Sequence, residues 1–165
     1  MTARSILVAF DGSPGSVLAL NEAADLARLF HAHLSLVGVV SLVSRNFGVS
    51  LPLGEDVERL LAESRAALTA EKDRLAKSGL SEVEVHLLEG DPVAAVIGFV
   101  ELHPVDLVVV GTRGLDALGR FFLGSVSDGI LHYAGCSVLV VKSPRAGKGP
   151  PGGGRPPRGP SAPKG

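Results

Sequence analysis

Two runs that are apolar on consecutive positions, Leu107-Val108-Val109-Val110 and Val138-Leu139-Val140-Val141, constrain this chain's fold more than any other feature. A strand with one face in water alternates apolar and polar residues, whereas a strand covered by helices on both faces does not. A parallel sheet between helical layers is implied. Three further runs rich in β-branched residues, 5–10, 33–40 and 82–88, join the two apolar runs, taken as 105–110 and 137–141, to make five expected strands.

Helical patterns separate them. The first has Ser13 as N-cap, Pro14 in the first turn and Val17, Leu20, Ala24 and Ala27 on one face, and is expected to run to about His31. The second, over 55–78, puts Val57, Leu60, Leu61, Leu68 and Leu75 on one side and stops at Gly79. A third opens at Asp91-Pro92, places Val93, Val96, Ile97 and Val100 at helical spacing, and ends near His103 because Pro104 disfavours a helical residue before it. The fourth is expected over 125–133, closed by Gly135. The order βαβαβαβαβ predicts an α/β fold, an open five-stranded parallel sheet with right-handed crossovers and helices on both faces.

Charge divides the chain. The 16 Lys and Arg and 17 Asp and Glu leave a net −1, which gives no reason to expect a whole-surface nucleic-acid or membrane field. The last 23 residues hold five of the basic side chains and no acid, so residues 1–142 carry 11 − 17 = −6. Of those 23, 14 are Gly or Pro and none is large and apolar, which predicts a disordered Gly/Pro-rich basic tail, 143–165, after a folded domain, 1–142. This tail is either a solubilising extension or a weak, salt-sensitive tether. No run is long and apolar enough to suggest a membrane span or a secretory leader, and the single Cys136 favours a reducing compartment, so the cytoplasm is expected. Cys136 itself reads as a small packing residue, and the five histidines, at no metal-ligand spacing, as surface or packing residues. The long connection over 41–54 is either a loop packed on its own domain, a lid or a dimer contact.

The chemistry-bearing stretch follows the fourth strand: Gly111-Thr112-Arg113-Gly114, nine residues, then Gly124-Ser125 opening a helix. In an open parallel sheet ligands bind beyond the C-terminal strand ends where the chain order reverses. Glycines admit close approach of an anion, and the free N–H groups and positive dipole end of the next helix suit phosphate oxygens. Arg113 would add charge, and Ser125 and Ser127 hydroxyl donors. Glycine loops also serve as plain turns, but strand, loop and helix come here in the order phosphate binding needs. Asp11, at the end of the first strand, suits a sugar hydroxyl or base amine rather than phosphates, and suits a turn or helix cap equally.

The opening Ile6-Leu7-Val8-Ala9-Phe10-Asp11-Gly12-Ser13, the Gly111-x-x-Gly114-x9-Gly124-Ser125 spacing and the ending Cys136-Ser137-Val138-Leu139-Val140-Val141-Lys142 together resemble the ATP-binding branch of the universal stress protein family. The resemblance covers nearly all of residues 3–142. It implies strand order 3-2-1-4-5, an adenine-nucleotide alpha-hydrolase-like fold, with ATP between the first and fourth strands. It further implies that Asp11 and the Val39 backbone contact adenosine, and that Val110, Gly111, Arg113 and Gly114 line the ribose and phosphate path. Gly124, Ser125, Val126 and Ser127 would close on the phosphates. A stress-response regulatory role and a homodimer paired through the last strand also follow from the resemblance, and the dimer would cover that strand's open edge. Arg113 stands where relatives often have His, Gly38-Val39 lacks the His that frequently precedes the valine, and the tail has no counterpart. No acidic or Gln set for metal and water placement accompanies the glycines, so slow ATP hydrolysis, or self-phosphorylation on Ser125 or Ser127, is the most catalysis expected, with Mg²⁺ arriving only with ATP. A nucleotide-free dimeric scaffold is the remaining alternative.

Overall fold

The computed structural model describes residues 3–41, 54–112 and 124–142. In chain order the elements are β1 (Ser5–Ala9), α1 (Pro14–Phe30), β2 (His33–Val40), α2 (Gly54–Lys77), β3 (Val83–Glu89), α3 (Pro92–Leu102), β4 (Leu107–Gly111), α4 (Ser125–Tyr133) and β5 (Ser137–Val141). The strands form one sheet in the order β3-β2-β1-β4-β5, with every pairing parallel. Both the fold class and the strand order expected from the sequence are present.

Strand pleating sorts the apolar runs into two cores. Ile6, Val8, Leu34, Leu36 and Val109 join one buried cluster with Leu20, Ala23, Ala24 and Ala27 of α1 and Leu68 and Leu75 of α2. Leu7, Val37, Val108 and Val110 join the other, with Val96 and Phe99 of α3 and Ile130 of α4. Neighbouring residues of one strand therefore serve opposite faces, and this is why the runs carry no polar alternation. Each fully buried Leu or Val stabilises the fold by about 1.5–3 kcal/mol over an exposed one.

The helix faces differ from expectation in two places. Leu60 is 39% exposed, so the apolar stripe of α2 reaches the core only at Leu68 and Leu75. In α3 the deeply buried residues are Val96 and Phe99, while Val93, Ile97 and Val100 are half-buried. Helix α1 stops at His31, whose φ of 51° is left-handed and whose N–H bonds back to Ala27 and Arg28 carbonyls. The connection over 42–53, the loop over 113–123 and the basic tail lie outside the described residues.

β1 is paired on one side with β2, to which the chain runs first, and on the other with β4, to which it returns after β3. The chain order thus reverses between β1 and β4. Because each helix leads back from one parallel strand to the start of the next, the N-termini of α1, α3 and α4 all sit at the C-terminal rim of the sheet.

Candidate functional site

At that rim, over the reversal point, a cleft of about 230 Å³ opens. Its walls come from the end of β1 and the turn after it (Phe10, Asp11), from β2 (Val37, Val39), from β4 (Val110, Gly111) and from the first turns of three helices. Those turns contribute Ser13 and Ser16 from the start of α1, Pro92 and Val96 from α3, and Gly124, Val126 and Ser127 from the start of α4.

Of the residues singled out in the sequence, Asp11, Val39, Val110, Gly111, Gly124, Val126 and Ser127 thus meet around one cavity. Arg113 and Gly114 fall outside the described residues. Ser125 is exposed and lines a different feature, a groove between α3 and α4 with Val93, Ile97, Gly129 and Tyr133. Sequence reasoning missed Ala9, Phe10, Val37, Ser13, Ser16, Pro92 and Val96 as lining residues. For the last four the signal was topological, since helix starts must gather at the C-terminal rim of a parallel sheet.

The three helix starts are not equivalent. In α1 the Ser13 Oγ accepts from the Ser16 N–H at 3.2 Å, and in α3 the Asp91 carboxylate accepts from the Val93 and Ala94 N–H groups at 3.0 and 3.1 Å. In α4 the N-cap is Gly124, and no side chain among the described residues caps the helix. The Ser127 hydroxyl points its bond the other way, donating to the Gly124 carbonyl at 3.0 Å. The first-turn N–H groups of α4 have no intrahelical acceptor and stand at the positive end of the helix dipole, a fitting place for an anion.

Across the cleft, Asp11 accepts the Ser13 N–H at 3.0 Å, which holds its carboxylate at the mouth of the first βα turn. Asp11 is the single carboxylate among the described lining residues, which include no Lys or Arg. Positive potential in the described part of the cleft therefore comes from main-chain N–H groups. Val37, Val39, Pro92 and Val96, with Ala9, Phe10, Val110 and Val126, make the apolar part of the wall. A second cavity of about 170 Å³ shares Phe10, Asp11 and Val39 with the first and extends under α2 to Leu68.

Gly111 has a packing role as well as a place in the wall. A Cβ there would overlap the Gly15 carbonyl and lie 2.8 Å from the Ser16 nitrogen, and a Cβ at Gly15 would overlap the Thr112 carbonyl oxygen. These two glycines let the first turn of α1 rest directly on the end of β4. The close approach expected of Gly111 toward an anion is made, in the structure, toward the α1 backbone.

Away from the cleft, the histidines are less scattered than their sequence positions. His33 Nε2 and His86 Nε2 each lie 3.5 Å from a Glu84 carboxylate oxygen, and Phe99 stacks on the His103 ring with centroids 3.9 Å apart. Among the described residues no group of three or more side chains is placed to hold a metal ion. The Cys136 thiol titrates above its ordinary range, mainly because burial penalises the thiolate and secondarily because the Asp106 carboxylate is near; a backbone hydrogen bond at Val108 opposes both. Among the described residues no helix is long and apolar enough to cross a membrane.

The fold and the cleft at its reversal point define a doubly wound α/β domain with a cleft at the C-terminal rim of its sheet. Comparison with known proteins narrows this class: residues 2–142 match the model of the universal stress protein family, and the chain belongs to that family. A universal stress protein of Staphylococcus haemolyticus is 33% identical over 145 residues, covering 87% of each chain. Among solved structures, a universal stress protein in complex with cAMP superposes with a TM-score of 0.65 at 26% identity, covering 86% of this chain and 98% of that one. The universal stress protein of Archaeoglobus fulgidus in complex with dAMP gives 0.63 at 25% identity, covering 86% and 100%.

Proposed function

We propose that this protein is an ATP-binding regulatory module of the stress response, a cytoplasmic homodimer whose dimer or partner surface depends on nucleotide occupancy. The observation that carries this reading is the start of α4, capped by no described side chain, at one wall of a largely apolar cleft, with the Asp11 carboxylate at another. The donor set fits an adenine nucleotide. Val37, Val39, Val96 and Pro92 offer an apolar slot for a base, Asp11 an acceptor for a ribose hydroxyl or base amine, and the α4 amides a place for phosphates. The cleft's 230 Å³ is below the roughly 300–1,000 Å³ usual for small-molecule sites, so base and ribose fill it and the triphosphate extends along the rim. Relatives solved with cAMP and dAMP support an adenine ligand.

Turnover is slow or absent, because Asp11 is assigned to the nucleoside and no other described lining residue is acidic. Mg²⁺, where it takes part, enters with ATP. Arg113 and Gly114 extend the phosphate path. Self-phosphorylation is the second reading, supported by the Ser127 side chain at the cleft wall. The homodimer forms through β5, an edge strand whose five residues are all half-exposed. Residues 143–165 act as a basic extension outside the domain, so truncation after Lys142 leaves the melting temperature unchanged.

Calorimetry with ATP, AMP and cyclic nucleotides tests the site. Micromolar ATP binding is expected, abolished by Gly124→Trp or Gly114→Trp. Binding that survives both substitutions rules the site out. Phosphate release or self-labelling beyond Ser125→Ala and Ser127→Ala controls would favour the enzymatic reading, and a monomeric sedimentation mass would contradict the dimer.

A further inference from the structure

Thr112 is 1% exposed, and its hydroxyl finds no hydrogen-bond partner among the described residues. A buried hydroxyl without a partner is costly, and native proteins keep few of them. Nothing in the packing asks for one. The preceding positions of the strand, 108 to 110, are all Val, which would fill the Thr112 site with the same branched shape and no polar atom.

The backbone of Thr112 is fixed from two sides. Its N–H donates to the Val141 carbonyl of β5 at 3.0 Å, and its own carbonyl rests against Gly15 at the start of α1. Thr112 is not itself a lining residue, but it directly follows the cleft-lining Gly111 and, two positions beyond the cleft-lining Val110, shares that residue's strand face. Turning χ1 by about 120° carries the hydroxyl to the position the methyl held, and the hydroxyl breaks no hydrogen bond to any described group by turning.

We propose that Thr112 is a nucleotide-binding residue whose hydroxyl, buried with no partner among the described residues, donates to an oxygen of the nucleotide when the cleft fills. The inference rests on the ATP-binding reading above. It adds a donor to the main-chain amides and makes the empty state carry a cost that ligand binding removes.

The opposed effects of one substitution test it. In Thr112→Val the orphan hydroxyl is gone, so the protein without nucleotide should melt higher, by roughly 2–5 °C, while its calorimetric Kd for ATP weakens about tenfold. A residue that only fills space cannot move stability and affinity in opposite directions. Thr112→Ser keeps the donor and loses the methyl, so it should melt lower than wild type yet bind ATP within about twofold of it. Thr112→Val that binds ATP as wild type does, or that melts lower without nucleotide, overturns the role of Thr112 and leaves the cleft reading intact. Wild-type protein that does not bind ATP overturns both.

Discussion

Replacing Gly111 by Ala should be, with Gly15→Ala on the other side of the same contact, among the costliest single methyls added to a described glycine, and the structure says why. The new Cβ would overlap the Gly15 carbonyl and press on the Ser16 nitrogen at 2.8 Å, all main-chain atoms of the first turn of α1. No rotamer change relieves a main-chain clash. The turn must lift from β4, and a gap of even about 0.5–1 Å forfeits a quarter to a half of each contact across it. Overpacking costs typically about 1–3 kcal/mol, and Gly111→Ala belongs at or above the upper end of that range. Gly38→Ala is the internal control, because its Cβ would meet Leu68 Cδ1 at 2.8 Å, the far end of a side chain that can turn away. Its cost should be about 1 kcal/mol, reduced further because Ala has less chain entropy to lose than Gly. Urea unfolding followed by circular dichroism reads both as shifts in midpoint at constant slope. Equal destabilisation by the two substitutions, or a Gly111→Ala loss below about 0.5 kcal/mol, would refute the reasoning. Lifting the turn also displaces Ser13 and Ser16, so Gly111→Ala should weaken ATP binding where Gly38→Ala changes it less.

Asp11→Asn keeps an acceptor for the Ser13 N–H but removes the charge, so it should weaken ATP binding about five- to tenfold with little change in melting temperature; calorimetry at wild-type affinity would contradict the Asp11 assignment. Asp91→Ala removes the acceptor of two N–H groups at the start of α3 and should cost about 1 kcal/mol in urea unfolding, with no loss pointing to a redundant cap. Cys136 should alkylate with iodoacetamide more slowly than a free thiol at pH 8, because burial and Asp106 raise its pKa and leave less thiolate. The sign for stability follows: the folded chain prefers the neutral thiol, so this contribution is complete below the ordinary thiol pKa and is lost as pH rises through the higher folded value. A reaction as fast as free cysteine's would contradict the described burial.

The architecture was legible in the sequence because burial on two faces leaves a direct mark. Leu107 to Val110 could not serve a half-exposed strand, and once five such strands alternate with helices the parallel sheet follows. The strand and helix limits differ from expectation by a residue or two, as where β4 begins at Leu107 rather than at Val105. Leu60 misled because helical periodicity locates a stripe but not where along it the sheet ends, and α2 is longer than the strands beneath it. Gly111 was visible as a glycine in the right place, yet its packing against Gly15 was not, since the two are far apart in sequence. The approach of His33 to Glu84 was hidden for the same reason, since parallel register brings residues of β2 and β3 to one face, whereas His86 meets Glu84 simply as its i+2 neighbour on β3. Thr112 lay within the Gly111–Gly114 stretch but nothing there assigned its hydroxyl a role; its burial with no partner among the described residues is what distinguishes it from the valines before it.

The central claim is that the main-chain amides opening α4, more than any reactive side chain, hold the phosphates of an adenine nucleotide. A crystal structure of the protein grown with ATP addresses it directly. Phosphate oxygens should lie about 2.7–3.2 Å from main-chain nitrogens within Ser125 to Ser127, with the adenosine half between Asp11 and Val39. A nucleotide bound outside the cleft, or phosphates held by side chains while those amides face solvent, would contradict the account.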